Sequence, residues 1–301
     1  MNRKIIADLH NHTAESDGEF TPEELVEKAN SLGLKAIAVT DHDTLKALKT
    51  AVDAGEKSGM EVIPGVEISL RFKRSFLPGP FTSCAIFLRT GSGMKNGWRG
   101  WIGFLPEEGG KPLSGPGSER STAASAPGET PLLPRAMESE DIERFSRNAT
   151  RRHFALALAE TFGITNRETI TRILGNGSPA YLPSGIDPAD IRGLIRDKGI
   201  FCALAHPAAG SFPGPGHYKE VLPPLDIVLR VLPEFLEAGI RGLEVYYPGH
   251  TRAQQEDLKT LAKKHNLILT GGSDCHDGKD RPMGVEGLTE PEYEIFKAAF
   301  L

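Results

Sequence analysis

The sequence predicts an α/β barrel in which parallel strands alternate with helices. Apolar strand-like runs and amphipathic helical stretches alternate over the first 70 residues and again from Asp187 onward. Repeated strand–helix units imply a parallel sheet with helical crossovers. Several strands run into metal-ligating residues, and a barrel brings the carboxyl ends of its strands together at one face. With 301 residues, 39% of them apolar, the chain can bury a core of this size.

The first helix has clear start and stop signals. Thr21 and Glu24 form a capping box with proline at the first helical position, and Gly33 follows the last apolar residue of the pattern. The other elements rest on the spacing of apolar residues. The elements predicted in this part are the strands 5–7, 36–40 and 62–66 and the helices 21–33 and 44–59.

The same alternation returns in the second half of the chain. Its strand-like runs are rich in Ile, Leu, Val and Ala and are bounded by glycine or charged residues. The predicted elements are the helices 187–198, 225–238 and 251–265 and the strands 200–205, 242–246 and 267–273.

Between these halves, residues 72–138 lack any sustained helical or strand period. Eleven of the 33 glycines fall between Gly79 and Gly128, together with many prolines and serines, and this predicts loop or disorder. We therefore predict barrel parts at 1–70 and 187–301, an irregular insertion segment at 71–150 and a helical remainder of the insertion at 151–186. Two origins of the irregular segment stay open, a divergent insertion and a change of reading frame in the gene.

The composition and charge of the chain limit the classes of function that it can have. The formal net charge of −5 provides no basic field for a nucleic acid duplex, while small phosphorylated substrates remain possible. The three cysteines contain no Cys-x-x-Cys pair, so neither a disulfide framework nor a thiolate zinc site is indicated. The sequence has no apolar signal segment and no run of membrane-spanning length. We expect a cytoplasmic protein.

A His-x-His pair, His10 and His12, directly follows the first predicted strand. Residues two apart in a strand share a face, so both imidazoles can reach one metal ion. Four further predicted strands run into ligand residues, which predicts a metal centre at their shared end. These residues are Asp41-His42-Asp43 after 36–40, Glu67 after 62–66, His206 after 200–205 and Asp274-Cys275-His276 after 267–273.

Taken as an ordered set, these residues resemble the polymerase and histidinol phosphatase (PHP) superfamily. The motifs are Asp8-Leu9-His10-Asn11-His12, Asp17-Gly18, Thr40-Asp41-His42-Asp43, Gly65-Val66-Glu67-Ile68, Ala205-His206-Pro207 and Gly272-Ser273-Asp274-Cys275-His276. Within it, the chain is most similar to stand-alone phosphoesterases that act on nucleotide 3',5'-bisphosphates and short RNA 5' ends. The resemblance implies a distorted (β/α)7 barrel of PHP type, a trinuclear metal centre and a helical insertion that helps to grip the substrate.

The resemblance also implies the metal ligands, which are His10, His12, Asp17, His42, Glu67, His206, Asp274 and His276. The resemblance implies two to three divalent metal ions, and mixed imidazole and carboxylate ligands suit Mn, Fe or Zn. Asp17, His42, His206 and Asp274 are the predicted catalytic residues. The family places another ligand histidine shortly after Glu67, but this sequence has no histidine between His42 and His153. One metal site therefore lacks its expected imidazole.

Several other residues are weaker candidates for a role in substrate binding or in supporting the ligands. The resemblance suggests that Arg152 and His153 hold substrate phosphate, and a solvated cationic helix end is the equal alternative. Asp41 and Asp43 either orient imidazoles or cap the following helix. Glu244 is expected to bind neighbouring backbone rather than the site. We expect Cys275 to be a small filler.

These observations predict a metal-dependent phosphoesterase that removes phosphate from a small nucleotide or the end of a short oligoribonucleotide. The predicted mechanism is attack by a metal-bridging hydroxide, with the metals and a basic residue stabilising the transferring phosphoryl group. No membrane or duplex nucleic acid partner is expected. Two alternatives stay open, a histidinol-phosphate phosphatase and a barrel that binds metal without turnover.

Overall fold

The structure is a computed structural model, and it describes residues 3–70, 82–88, 133–146, 149–174, 192, 200–214 and 223–300. The strands are β1 (Ala7–Asp8), β2 (Ala36–Val39), β3 (Glu61–Leu70), β4 (Thr82–Leu88), β5 (Ile200–Leu204), β6 (Gly242–Tyr246) and β7 (Ile268–Gly271). The helices are α1 (Pro22–Ser31), α2 (Leu48–Ser58), α3 (Ser139–Glu143), α4 (Arg151–Phe162), α5 (Arg167–Leu174), α6 (Leu225–Ala238), α7 (Arg252–His265) and α8 (Glu290–Phe300). A short 3₁₀ turn covers Ala209–Ser211.

The seven strands form one sheet in the order of the chain, from β1 to β7. Neighbouring strands are parallel from β1 to β3 and from β5 to β7, whereas β4 is antiparallel to both of its neighbours. The register pairs Glu67 in β3 with Ala85 in β4. Beyond the named strands, the backbone N–H of Leu9 donates to the carbonyl of Gly271 at 3.0 Å, and Asn11 forms a parallel bridge with Cys275.

Strand β4 corrects the sequence prediction of an entirely irregular segment at 72–138, and it also breaks the predicted all-parallel order. The strand forms because one of its edges pairs with β3 and the other with the distant β5, and a local period cannot reveal such pairing. Phe87 is buried, and its ring lies 6.1 Å from Phe201 and 5.4 Å from Phe296 between centroids. Much of the remaining segment and the predicted helix 187–198 lie outside the described residues.

The predicted start of α1 is confirmed, because Thr21 and Glu24 make the predicted reciprocal capping bonds. In contrast, α2 begins at Leu48 rather than near Thr44. Asp43 explains the delay, because its backbone has a positive φ of 50° and its side chain accepts a hydrogen bond from the Ser69 N–H. The chain is thus tied to β3 before it becomes helical.

Two separate hydrophobic clusters lie within the described residues. The larger one fills the space between the sheet and helices α1, α2, α6, α7 and α8. A smaller one is formed within residues 133–174 and includes Leu133, Ile142, Phe154, Leu158 and Leu174. Helices α3 to α5 therefore have an apolar core of their own. Among the described helices, none is both long and apolar enough to span a membrane.

Candidate metal centre

All eight predicted ligand side chains meet near the carboxyl ends of the strands. His10 and His12 follow β1, His42 follows β2, Glu67 lies in β3, and the remaining histidines and aspartates lie in loops. Seven of the eight are buried, and His42 is partly exposed. In two groups, donor atoms lie within 4.8 Å of one another. We call them the His42 group (His12, Asp17, His42 and His276) and the His10 group (His10, His12, Glu67 and Asp274).

Glu67 lies at the middle of the cluster. Its Oε2 lies 3.2 Å from His10 Nε2, 3.3 Å from His12 Nε2 and 3.2 Å from His42 Nδ1. Its Oε1 lies 2.9 Å from His206 Nε2. Burial alone would raise the pKa of the Glu67 carboxyl, but the neighbouring His42 and His10 charges overcome it and hold that pKa well below its ordinary value. Glu67 is therefore an ionised carboxylate with four imidazoles around it.

Asp274 carries the second carboxylate of the His10 group. Its Oδ1 lies 3.1 Å from His12 Nε2, and its Oδ2 accepts hydrogen bonds from Arg281 and from the hydroxyl of buried Tyr247 at 3.1 Å. Burial opposes ionisation, yet the charges of Arg281 and His276 hold the pKa of Asp274 well below its ordinary value. Arg281 and Tyr247 thus fix an anionic ligand oxygen in place.

Asp17 belongs to the His42 group. Its Oδ1 lies 3.3 Å from His276 Nε2, and its Oδ2 accepts a hydrogen bond from Thr150 Oγ1 at 2.8 Å. Burial would raise the pKa of Asp17, but the His276 and His42 charges keep it well below its ordinary value. Each of the two groups therefore contains at least one carboxylate that stays ionised.

The carboxylates act on the imidazoles in return. Burial would lower the pKa of His10, but Glu244, Glu67 and Asp274 raise it well above its ordinary value. The pKa of His206 is also raised, because Glu67 outweighs the effect of burial. The negative charge that stabilises a proton on these rings would equally stabilise a divalent cation.

The donor set fits such a cation. Among the described residues, both ring nitrogens of His12 and the Nδ1 of His206 are buried without a well-directed hydrogen-bond partner, although His12 Nε2 lies within 3.3 Å of the Glu67 and Asp274 carboxylates. Buried polar atoms are normally paired, so these nitrogens indicate that an additional partner belongs here. Imidazole nitrogens combined with carboxylate oxygens suit Mn, Fe or Zn rather than Ca.

The flanking acids have roles that differ from the sequence predictions. Among the described residues, Asp41 bonds neither an imidazole nor the first turn of α2; its carboxylate accepts from Thr13 N and Oγ1, both at 2.7 Å, and from Ser16 Oγ at 2.5 Å. Asp43 bonds the backbone of Ser69. Glu244 does bind backbone, at His206 N (2.7 Å), but it also contacts His10 Nδ1 at 3.0 Å and thus reaches the site.

Cys275, predicted as a small filler, is fully buried, and its thiol sits in the main core. Burial, reinforced by Asp8 and Asp274, raises the pKa of this thiol and disfavours the thiolate. The sulfur is therefore a poor nucleophile and a poor metal ligand.

Two glycines of the motifs are required by close backbone approach. A Cβ at Gly18 would lie 2.3 Å from the carbonyl oxygen of His12, and one at Gly272 would lie 2.4 Å from the backbone nitrogen of His10. Any side chain at either position would push the His-x-His segment out of place. The glycines beside Asp17 and Asp274 thus serve packing around the ligands.

The predicted substrate residues lie at the edge of the cluster. Arg152 donates to Asp277 at 3.0 Å and to Glu19 at 3.3 Å, so it is neither a free surface cation nor a direct neighbour of the ligands. His153 Nδ1 accepts from Thr150 N at 3.1 Å. Burial lowers the pKa of His153, and Arg152 adds to this while Asp17 opposes it.

Sequence reasoning missed Arg281, Tyr247 and Thr150. Arg281 lies in a tight loop that Asp277 organises, because the Asp277 Oδ1 accepts three backbone N–H groups from residues 279–281. An aspartate shortly before an arginine is only a weak sequence signal for such a loop. Tyr247 directly follows the strand β6. Thr150 had only the signal of a helix N-cap, and nothing local indicated that its hydroxyl reaches Asp17.

The chain matches the PHP domain family over residues 8–158. It is 30% identical over 286 residues to the phosphoribosyl 1,2-cyclic phosphate 1,2-diphosphodiesterase of Eggerthella lenta (90% of this chain, 94% of the relative). It is 27% identical to the 5'-3' exoribonuclease Rnm of Escherichia coli (95% and 94%) and 26% identical to the 3',5'-nucleoside bisphosphate phosphatase of Chromobacterium violaceum (89% and 86%).

Among solved structures, the chain superimposes on a Chromobacterium violaceum protein with a TM-score of 0.73, covering 97% of this chain and 96% of the other at 23% identity. That structure, described as an amidohydrolase with bound sulfate and no metal, shows the shared fold. These three relatives are named as a phosphodiesterase, an exoribonuclease and a phosphatase, so the predicted hydrolase is confirmed at the level of a phosphoesterase. The clustered donor groups described above suit a metal-dependent one. The chain belongs to the PHP domain family.

Proposed function

We propose that this phosphoesterase acts on small phosphorylated nucleotides, such as 3',5'-bisphosphates, or on the 5' ends of short RNA. The observation that carries the proposal is the convergence of two donor groups around Glu67, because clustered cations of this kind suit the charge of a phosphate ester. The relatives from Escherichia coli and Chromobacterium violaceum, which are named for such substrates, support the substrate class.

The eight residues predicted from the sequence are the proposed ligands. The His10 group would hold one ion and the His42 group another, and His12 belongs to both groups. We also propose that the sheet closes into a distorted seven-stranded barrel. The Leu9–Gly271 hydrogen bond and the Asn11–Cys275 bridge support closure, because they join the end of β7 and the segment after it to the segment after β1.

We propose that the centre binds two to three ions and that the third ion would be bound weakly. Only Glu67 and His206 are available there among the described residues, and the strand position opposite Glu67 is Ala85, which has no ligand atom. The full sequence has no histidine between His42 and His153 to complete it. A metal content near two per chain, measured by elemental analysis, is therefore expected.

When bound, the ions would supply a water nucleophile of lowered pKa and neutralise phosphate oxygens. The protein groups have separate tasks. Arg281 and Tyr247 hold the Asp274 carboxylate at its proposed ligand position, and Glu244 fixes the ring of His10. Because His153 accepts a hydrogen bond at Nδ1 and burial favours its neutral form, its proton lies on Nε2, which can donate to a phosphate oxygen.

The test is a substrate panel assayed by chromatography with added Mn²⁺ and, as control, with a chelator. The panel contains adenosine 3',5'-bisphosphate, a 5'-phosphorylated oligoribonucleotide, histidinol phosphate and a ribose 1,2-cyclic phosphate. Preferential cleavage of either of the first two substrates supports the proposal. Preference for histidinol phosphate or the cyclic diester would reassign the substrate, and absence of cleavage with metal bound would favour a barrel without turnover.

A further inference from the structure

The insertion helices α3 to α5 meet the rest of the protein through a polar seam. Ser146 Oγ lies 3.4 Å from the carbonyl oxygen of Ser16, and Thr150 Oγ1 donates to Asp17 at 2.8 Å. Arg152 donates to Glu19 and Asp277. These hydrogen bonds between described residues reach residues 16–19 and the loop at 277, which contain or adjoin Asp17 and His276 of the His42 group.

The hydroxyl of Thr150 links α4 to the proposed centre. Thr150 is the N-cap residue of α4 and forms a capping box with His153. Its N–H donates to His153 Nδ1 at 3.1 Å, and the His153 N–H donates to the Thr150 carbonyl oxygen at 3.1 Å. The hydroxyl proton is donated to Asp17 Oδ2. Because a hydroxyl can donate one hydrogen bond while its oxygen accepts another, the contact with Asp17 is compatible with the cap.

The consequence for Asp17 is a fixed orientation. With Oδ2 held by Thr150, Oδ1 faces His276 Nε2 at 3.3 Å and His12 Nδ1 at 3.8 Å. A ligand held in this way loses less rotamer freedom when it binds an ion. The ligands of the His10 group have no hydrogen bond from the insertion among the described residues, since they are held by Glu244, Tyr247 and Arg281.

We propose that Thr150 is a positioning residue that orients Asp17, so that the insertion sets the affinity of the ion at the His42 group and leaves the ion at the His10 group unaffected. This inference rests on the proposed metal centre. It assigns the insertion a role in assembling one half of the centre, in addition to any contact it makes with substrate.

The experiment compares Thr150→Val with Thr150→Ser. Valine keeps the branched shape and removes the hydroxyl, whereas serine keeps the hydroxyl. Metal-free wild-type protein titrated with Mn²⁺ in a calorimeter should show two classes of site. Thr150→Val should weaken one class by about tenfold and leave the other unchanged, and Thr150→Ser should restore it. Arg144→Ala is the control, because Arg144 bonds Thr161 and Glu160 within the insertion and lies off the seam.

Kinetics provide a second readout. The Mn²⁺ concentration for half-maximal activity should rise in Thr150→Val, while kcat at saturating Mn²⁺ stays within about twofold of wild type. Equal weakening of both classes, no weakening, or the same loss in the serine variant would overturn the role of Thr150. Absence of Mn²⁺ binding by the wild type would instead overturn the proposed centre itself. Thermal unfolding of the metal-free variants identifies any that fail to fold.

Discussion

Replacement of Glu244 by glutamine tests whether a residue outside the proposed ligand set controls metal binding. Glu244 is buried, with one oxygen 3.0 Å from His10 Nδ1 and the other accepting from His206 N at 2.7 Å. Glutamine has nearly the same shape but only one acceptor oxygen. In either orientation its NH₂ group therefore faces one of these two partners, and at His206 it would oppose a backbone donor.

The size of the effect follows from these contacts. A hydrogen bond to a charged group contributes about 1.5–3 kcal/mol, and a buried donor left unpaired costs about 1–3 kcal/mol. Loss of a carboxylate behind a ligating histidine typically lowers metal affinity about 10- to 100-fold, or roughly 1.4–2.8 kcal/mol. We therefore expect Glu244→Gln to weaken Mn²⁺ binding at the His10 group by this factor.

Calorimetric titration of metal-free protein measures the affinity, and the Mn²⁺ dependence of phosphate release measures its consequence. Glu292→Gln is the matched control, because Glu292 is a partly buried carboxylate that bonds Arg3, Tyr246 and Thr289 away from the centre. It should lower the free energy of unfolding without changing Mn²⁺ affinity. Unchanged affinity in Glu244→Gln, or the same shift in both variants, would refute the reasoning.

Three further predictions concern the ligands and their supports. His12→Ala and Asp274→Ala should each reduce phosphate release at least about a hundredfold, since a bound cation contributes several kcal/mol to the transition state; near-normal rates in both would exclude the assignment. Asp41→Asn should lower the free energy of unfolding in urea by about 3 kcal/mol, because its three hydrogen bonds to residues 13–16 are buried. Burial would raise the pKa of Asp277, but its backbone hydrogen bonds lower it to about 2. The stability it contributes is present above about pH 4 and lost as the pH falls toward 2, so Asp277→Asn should flatten the acid limb of urea stability curves, and an unchanged limb would contradict this.

Most of the ligands were predictable from sequence, because all of them except Asp17 come at or shortly after the end of an apolar run. The convergence of His10, His12 and Glu67 needs only the periodicity of a strand and the common direction of parallel strands. Strand β4 was not predictable in this way, because it is ordered by pairing with β3 on one edge and with β5, more than 100 residues later, on the other. The same holds for Thr150, which contacts Asp17 across 133 positions of sequence.

The backbone at the ligands adds a second reason why sequence alone falls short. Four described residues other than glycine have positive φ, and three of them lie at or beside the proposed centre, namely Asp43 (50°), His206 (28°) and Asp274 (50°). The fourth, Asn266, ends α7, where asparagine tolerates this conformation. A side chain in the left-handed region costs about 1–3 kcal/mol, and no local pattern announces it.

The hydrogen bonds of the groups that hold the ligands offset the free-energy cost of these backbone conformations. His206 is retained by Glu244, which bonds its N–H, and Asp274 is retained by Arg281 and Tyr247, which bond its carboxylate. Glycine at either position would relieve the strain but would remove a proposed metal ligand. The supporting residues and the strained ligands therefore form one unit. A variant of a support should loosen metal binding even though it removes no ligand atom, which is the outcome that Glu244→Gln and Thr150→Val test from opposite sides of the centre.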